Sequence, residues 1–224
     1  MMQVKKEMFV GVLALAVGAW GMVPTVAPTY KACSSLAFTQ RAITTSATAR
    51  DVAVSDADSD GALDVFASSS TGVDWYDGDG SWTQHVVATG INGQSLSIAD
   101  LDGDGDFDVL VHESVAIYWI ENVDGLGTDW TVHTVKAITT SVEDLVAIDV
   151  DSDSDLDVLY VDGLLETVGW FENDGTLTGA TEHLLDSAFG NTGLKAVAAA
   201  DVDGETSSLV GQRTKSILFR ASFS

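Results

Sequence analysis

The chain contains one cysteine, Cys33, so no disulfide can form within its 224 residues. Basic residues are also scarce: ten Lys and Arg stand against 34 Asp and Glu, a formal charge of −24. A surface of that sign repels phosphates, which excludes nucleic acid as a partner. The four histidines show no triad partner, and the Ser-x-x-Lys, Gly-x-Ser-x-Gly and His-Glu-x-x-His patterns are missing. No sustained helical period appears beyond the N-terminal segment. Apolar residues are plentiful, at 46%, which gives material for a core and rules out a disordered acidic tail.

The N-terminal segment "MMQVKKEMFVGVLALAVGAWGMV" places Lys5 and Lys6 before an apolar run from Met8 to Val23, with small residues and Pro24 following. This pattern predicts a secretory signal peptide cut after Gly21 or Ala27. The run is about 16 residues, shorter than the ~20 a spanning helix prefers, so cleavage is favoured over an uncleaved membrane anchor, which is the alternative. A lipid anchor on Cys33 is disfavoured by Lys31 in "TYKAC". The expected organisation is a signal peptide over 1–27, a linker over 28–35 and one domain over 36–224. The mature chain would then be secreted, with no membrane span.

The acids are clustered. "DADSDGALD" starts at Asp56, "DLDGDGDFD" at Asp100 and "DVDSDSDLD" at Asp149, while a decayed "DVDGETSSL" starts at Asp201. The starts are 44, 49 and 52 residues apart, and the flanks repeat with them. An apolar segment precedes each ("DVAVS", "LSIAD", "LVAID", "AVAAA") and another follows ("DVFAS", "DVLVH", "DVLYV", "SLVGQ"). Next come "VDWYD", "IYWIEN", "VGWFEN" and "ILFRA", then a Gly/Asp/Asn turn in three repeats, then a segment with one histidine. Four short strand-like segments per ~40–50 residues predict an all-β chain of β-propeller blades. The segment at 36–46 reads as a fourth strand without its blade, and the chain ends on a third strand. Four blades closed by pairing of residues 36–46 with 216–223 follow from this phase. A fragment of a larger ring, such as a seven-bladed one, is the alternative.

Alternating aspartates point their carboxylates into one small volume. In water they repel by roughly 1 kcal/mol or more per close pair. A cation compensates them, and Ca²⁺ fits because it takes roughly six to eight oxygens in irregular geometry. Mg²⁺ prefers to keep its waters, and the EF-hand's Glu at position 12 is replaced here by Ala67, Val111 or Tyr160. Positions 1, 3, 5 and 9 are the expected carboxylate ligands and position 7 the carbonyl. The candidates are Asp56, Asp58, Asp60, Ala62 and Asp64 in the first loop and Asp100, Asp102, Asp104, Asp106 and Asp108 in the second. In the third they are Asp149, Asp151, Asp153, Asp155 and Asp157. Gly61 and Gly105 at position 6 permit a turn through positive φ, whereas Ser154 in the third loop does so at a cost. About three calcium sites are expected. The loop at Asp201 is degenerate, with Glu205 at position 5 and Leu209 at position 9.

The loop together with "IYWIEN" and "GWFEN" resembles FG-GAP/VCBS-type repeats, like those of the integrin α-chain propeller, over about residues 36–224. The resemblance implies a propeller with calcium in hairpin loops on one face. It also implies binding of a protein or glycan partner, usually on the opposite face. The expected function is a secreted, calcium-stabilised binding or adhesion module and not an enzyme. A secreted polysaccharide-degrading enzyme on the same scaffold is the alternative. His85, His133 and His183 recur once per repeat and are expected to be structural, as are Trp75, Trp119 and Trp170, packing between blades. The unrepeated His112 and Glu113, with the loops "ATGINGQS" and "AFGNTG", are the expected ligand surface.

Overall fold

The computed structural model describes residues 42–43, 49–114, 116–138, 141–186 and 195–198. Twelve strands and no helix occur among them, and the strands form three four-stranded antiparallel sheets. The first sheet is β1 (Asp51–Ser55), β2 (Asp64–Ser68), β3 (Gly72–Tyr76) and β4 (Gln84–Thr89), in that order. The second is β5 (Ser95–Ala99), β6 (Asp108–His112), β7 (Ala116–Asn122) and β8 (Trp130–Ala137). The third is β9 (Val142–Ile148), β10 (Asp157–Asp162), β11 (Thr167–Glu172) and β12 (Thr181–Asp186). Each sheet is therefore one sequence repeat folded as a meander, with its acidic segment in the first hairpin.

The burial of each strand follows its place. The second strands, "DVLVH" in β6 and "DVLYVD" in β10, are buried at every residue. They lie between two strands of their own sheet and have apolar neighbours on both faces, so a continuous apolar run suits them better than alternation. The fourth strands are sheet edges; β8 is largely exposed. The third and fourth strands pair with a register shift at one repeated place, Val73/Asp74, Ile117/Tyr118 and Val168/Gly169. The extra residue lies in the fourth strand, at Val87, Val135 and Leu185, and the third-strand residue before each shift stands two before the tryptophan in all three repeats.

The first strands are neighbours, β1 beside β5 and β5 beside β9. Carboxylates tie them at their N-terminal ends. Asp51 Oδ2 accepts from Leu96 N at 3.0 Å and from the Ser95 hydroxyl at 3.0 Å. That hydroxyl also lies 3.0 Å from Asp144 Oδ1, and Asp144 Oδ2 accepts from Val197 N at 3.0 Å. Apolar clusters fill the space between sheets. One joins Phe66, Val73 and Trp75 to Val109, Val111 and Ile120; the next joins Leu110, Ile117 and Trp119 to Val158, Tyr160 and Phe171. A third gathers Leu159, Val161 and Trp170 with Val197.

The signal peptide, the linker, the strand at 36–46 apart from residues 42–43, the loop at Asp201 and the closing strand at 216–223 lie outside the described residues. So does "AFGNTG". Among the described residues no helix is long and apolar enough to cross a membrane.

Candidate metal loops and their supports

The three acidic loops share one backbone. Position 4 has positive φ in each (Ser59 61°, Gly103 77°, Ser152 70°), and so does position 6 (Gly61 90°, Gly105 100°, Ser154 87°). The bend at position 6 was legible from the glycines; that at position 4 was not, because serine occupies it twice. In the third loop both bends fall on serine, each costing about 1–2 kcal/mol against glycine.

Within this bend each early aspartate takes amides from residues ahead of it. Asp56 accepts from Asp60 N at 3.1 Å and Gly61 N at 2.9 Å, and Asp100 from Gly103 N at 2.8 Å and Gly105 N at 3.0 Å. Asp149 accepts from Ser152 N at 2.6 Å. The position-3 carboxylates of Asp58, Asp102 and Asp151 each accept the position-5 amide at 3.2 Å. The position-5 carboxylates of Asp60, Asp104 and Asp153 accept the amides of Ala62, Asp106 and Asp155 at 2.7, 2.9 and 3.0 Å. These local bonds orient the side chains before any ion arrives.

One oxygen from each of Asp56, Asp58 and Asp64 lies within 4.8 Å of the others, as do those of Asp100, Asp102 and Asp104, and those of Asp149, Asp151 and Asp157. Asp58 and Asp60 form a further group with Asp77, at the end of β3, which the repeat pattern did not single out. Asp108 and Asp153 stand outside these groups among the described residues. Ion pairs among the described residues join His133–Glu121, Lys136–Glu182, His183–Glu172 and Lys195–Glu143, so no basic side chain there neutralises a loop. The donor set is thus hard oxygen, preoriented and uncompensated, and it fits a calcium ion.

Position 9 has a second role. Both oxygens of its carboxylate take buried amides from separate segments. Asp64 accepts from Ala57 N and Gly78 N, both at 2.7 Å. Asp108 accepts from Leu101 N at 3.1 Å and Asn122 N at 2.9 Å; Asp157 accepts from Val150 N at 2.8 Å and Asn173 N at 2.9 Å. Each clamps the start of its loop to the end of the third strand. Burial is the main cause that raises all three carboxyls, Asp108 to about 6 and Asp157 to about 7, against the donated amides that pull them down. Burial, with the charge of the next aspartate, also raises Asp102 and Asp151.

The "W-x-E-N" segments support the loops from the neighbouring sheet. Asn122 Nδ2 donates to Ala57 O at 3.1 Å, and Asn173 Nδ2 to Leu101 O at 2.9 Å. Each asparagine thus holds position 2 of the preceding repeat's loop. Trp75 and Trp119 pack between sheets, as expected, and Trp170 packs in its own sheet with Val197; Trp75 also donates to Gly127 O at 3.2 Å. Each repeated histidine stacks on the tryptophan of its own sheet: Trp75–His85 at 4.2 Å, and Trp119–His133 and Trp170–His183 at 4.5 Å. Glu121 and Glu172 reach His133 and His183 at 2.6 and 2.7 Å. The first repeat has the shorter Asp77 at that position. His112 departs from expectation: it is 1% exposed at the end of β6, so it cannot meet a ligand. Glu113 accepts from Asn92 N at 3.0 Å and from the Tyr118 hydroxyl at 2.9 Å.

Repeated four-stranded sheets with a preoriented acidic loop in each first hairpin define an all-β repeat protein. Residues 56–111, running from the first acidic loop through the second to β6, match the family model of the FG-GAP-like repeat. That segment is accordingly an FG-GAP-like repeat. No curated protein matches it.

Proposed function

We propose that the chain is a secreted, calcium-stabilised β-propeller that serves as a binding or adhesion module for a protein or glycan partner. Four blades, the last closed by the strand at 36–46, complete the reading, and export follows from the signal-like N-terminus. The observation that carries it is the threefold recurrence of one loop conformation whose carboxylates are held by amides and matched by no basic side chain among the described residues. The FG-GAP-like match over 56–111 supports it independently. Positions 1, 3, 5 and 9 would hold the ion, with the carbonyls of Ala62, Asp106 and Asp155. Bound calcium supplies positive charge that lets three or four carboxylates share one turn.

Thermal melting tests this reading. A site at a hundredfold excess of ion over its dissociation constant adds ~2.7 kcal/mol. Three such sites rival the ~5–15 kcal/mol stability of a whole domain. Millimolar calcium should therefore raise Tm by many degrees over chelator at equal ionic strength. Coincident melting curves in calcium and in chelator would refute it.

A further inference from the structure

The two sheet-to-sheet interfaces differ at matched positions. Between the first and second sheets, Ala88, Val111, Ala116 and Ile120 are all buried and apolar. Counted from the repeated tryptophan, histidine and position-9 aspartate, the same places between the second and third sheets hold Lys136, Tyr160, Thr167 and Phe171. Glu182 of β12 likewise stands where β8 has Val132. The repeat does not require the polar groups of Lys136, Tyr160, Thr167 and Glu182, which the matched positions of the first interface lack. Lys136, Tyr160, Thr167, Phe171 and Glu182 line a cavity of about 260 Å³. It opens on the face of the β10–β11 turn and the end of β8, away from the acidic loops.

The cavity has two sides. Lys136 Nζ lies 3.4 Å from Glu182 Oε2 and 5.6 Å over the Phe171 ring, and the Tyr160 hydroxyl donates to Glu182 Oε1 at 2.5 Å. Thr167 and Asp162 complete the polar side; Asp162 Oδ1 accepts the amides of Leu164 and Leu165 at 2.8 and 2.7 Å. Ile138, Val142, Leu165 and Leu184 form the apolar side, the last two 57% and 64% exposed at the mouth.

We propose that this cavity binds a single pyranose ring of a glycan. An anion would meet two carboxylates and one ammonium. A cation would be repelled by the Lys136 ammonium, 3.4 Å from Glu182 Oε2. A wholly apolar ligand would bury the Lys136–Glu182 pair without compensation. A pyranose lays its C–H face on the leucine, isoleucine and valine wall while its hydroxyls both donate to Glu182 and accept from Lys136. The volume is just below the roughly 300–1,000 Å³ of sites for larger ligands, which suits one ring.

The proposal rests on the binding-module reading for its scaffold and specifies its ligand. The full chain in calcium is titrated with methyl β-D-glucopyranoside, methyl β-D-galactopyranoside and methyl α-D-mannopyranoside, observed by saturation-transfer NMR. At least one should bind, and Lys136→Met and Glu182→Gln should each weaken it about tenfold, the effect of losing one hydrogen bond to a charged group. Leu126→Ser, on the acidic-loop side, should leave it unchanged, and each variant's Tm confirms that it folds. If all three glycosides fail to bind, or bind equally well to both pocket variants, the proposal is overturned. Binding of Nα-acetylarginine amide at these residues in place of the glycosides would overturn it too, by assigning a basic peptide. Calcium-shifted melting without sugar binding removes this inference alone; sugar binding without a calcium shift removes the calcium reading alone.

Discussion

Asp104 and Asp108 sit four residues apart in one loop and do different work. Asp104 is exposed and accepts one amide, that of Asp106, whereas Asp108 is 1% exposed and accepts two amides from separate segments. Leaving two buried amides unpaired costs about 3 kcal/mol or more. Asp108→Ala should therefore lose that much in urea melts even in chelator, where Asp104→Ala stays within about 0.5 kcal/mol of the parent. In excess calcium Asp104→Ala should lose the stabilisation of one site. Equal losses for the two variants in chelator would remove the clamp. Ser154 carries a second prediction at this scale. Its φ of 87° suits glycine, so Ser154→Gly should stabilise by about 0.5–1 kcal/mol after the added chain entropy is deducted, and should tighten the third loop for calcium. Calcium titration of this variant against the parent by calorimetry checks it; an unchanged or weaker third site would contradict it. The ligand spacing and the bend at position 6 were legible because D-x-D-x-D-G is a local pattern. The clamp was not, since spacing cannot tell whether an oxygen faces an ion or an amide from another strand.

The strands were legible almost element by element, because each is a short apolar run between Gly/Asp turns and recurs in phase. "DVAVS", "DVFAS" and "DVLVH" in the sequence are β1, β2 and β6 in the fold. The histidines could be assigned to structure for the same reason, and each stacks on its own sheet's tryptophan. Contacts between repeats were not visible. The asparagine of "W-x-E-N" bonds a carbonyl 65 residues back in one case and 72 in the other. Nothing within one repeat marks that partner, although a polar residue recurring after a buried strand was a signal. These bonds couple the sheet of one repeat to the loop of the one before. Asn122→Ala and Asn173→Ala should each cost about 1–2 kcal/mol by leaving a buried carbonyl short of its donor. The double variant should lose roughly the sum, since the sites belong to different interfaces. Chemical denaturation of the three variants checks this; a single variant as stable as the parent would mean that the bond does not couple the sheets.

At the scale of the molecule, the sheets are joined by apolar clusters and, at the start of their first strands, by the Asp51–Ser95–Asp144 contacts. His112 is buried near this junction. It faces Asp144 and Glu143 of β9 and lies beside Glu113, while Lys195 pairs with Glu143 at 2.8 Å. Burial lowers the imidazole's pKa and outweighs the nearby carboxylates, which pull it up. The folded chain therefore keeps His112 neutral at pH values where the unfolded chain, with its pKa near ~6.5, takes up a proton. Below that value the unfolded state binds more protons, so the contribution of His112 is fully present above ~6.5 and is lost as pH falls. The raised carboxyls of Asp64, Asp102, Asp108, Asp151 and Asp157 act in the opposite direction, binding protons more readily folded than unfolded, but they are identical in a His112→Gln variant and cancel in the comparison. Urea denaturation of both proteins in chelator at pH 7.5 and pH 5.5 measures the difference. Going from pH 7.5 to pH 5.5, the stability of the parent should fall relative to that of His112→Gln. An equal change in the two proteins would show that His112 gains a proton as readily folded as unfolded.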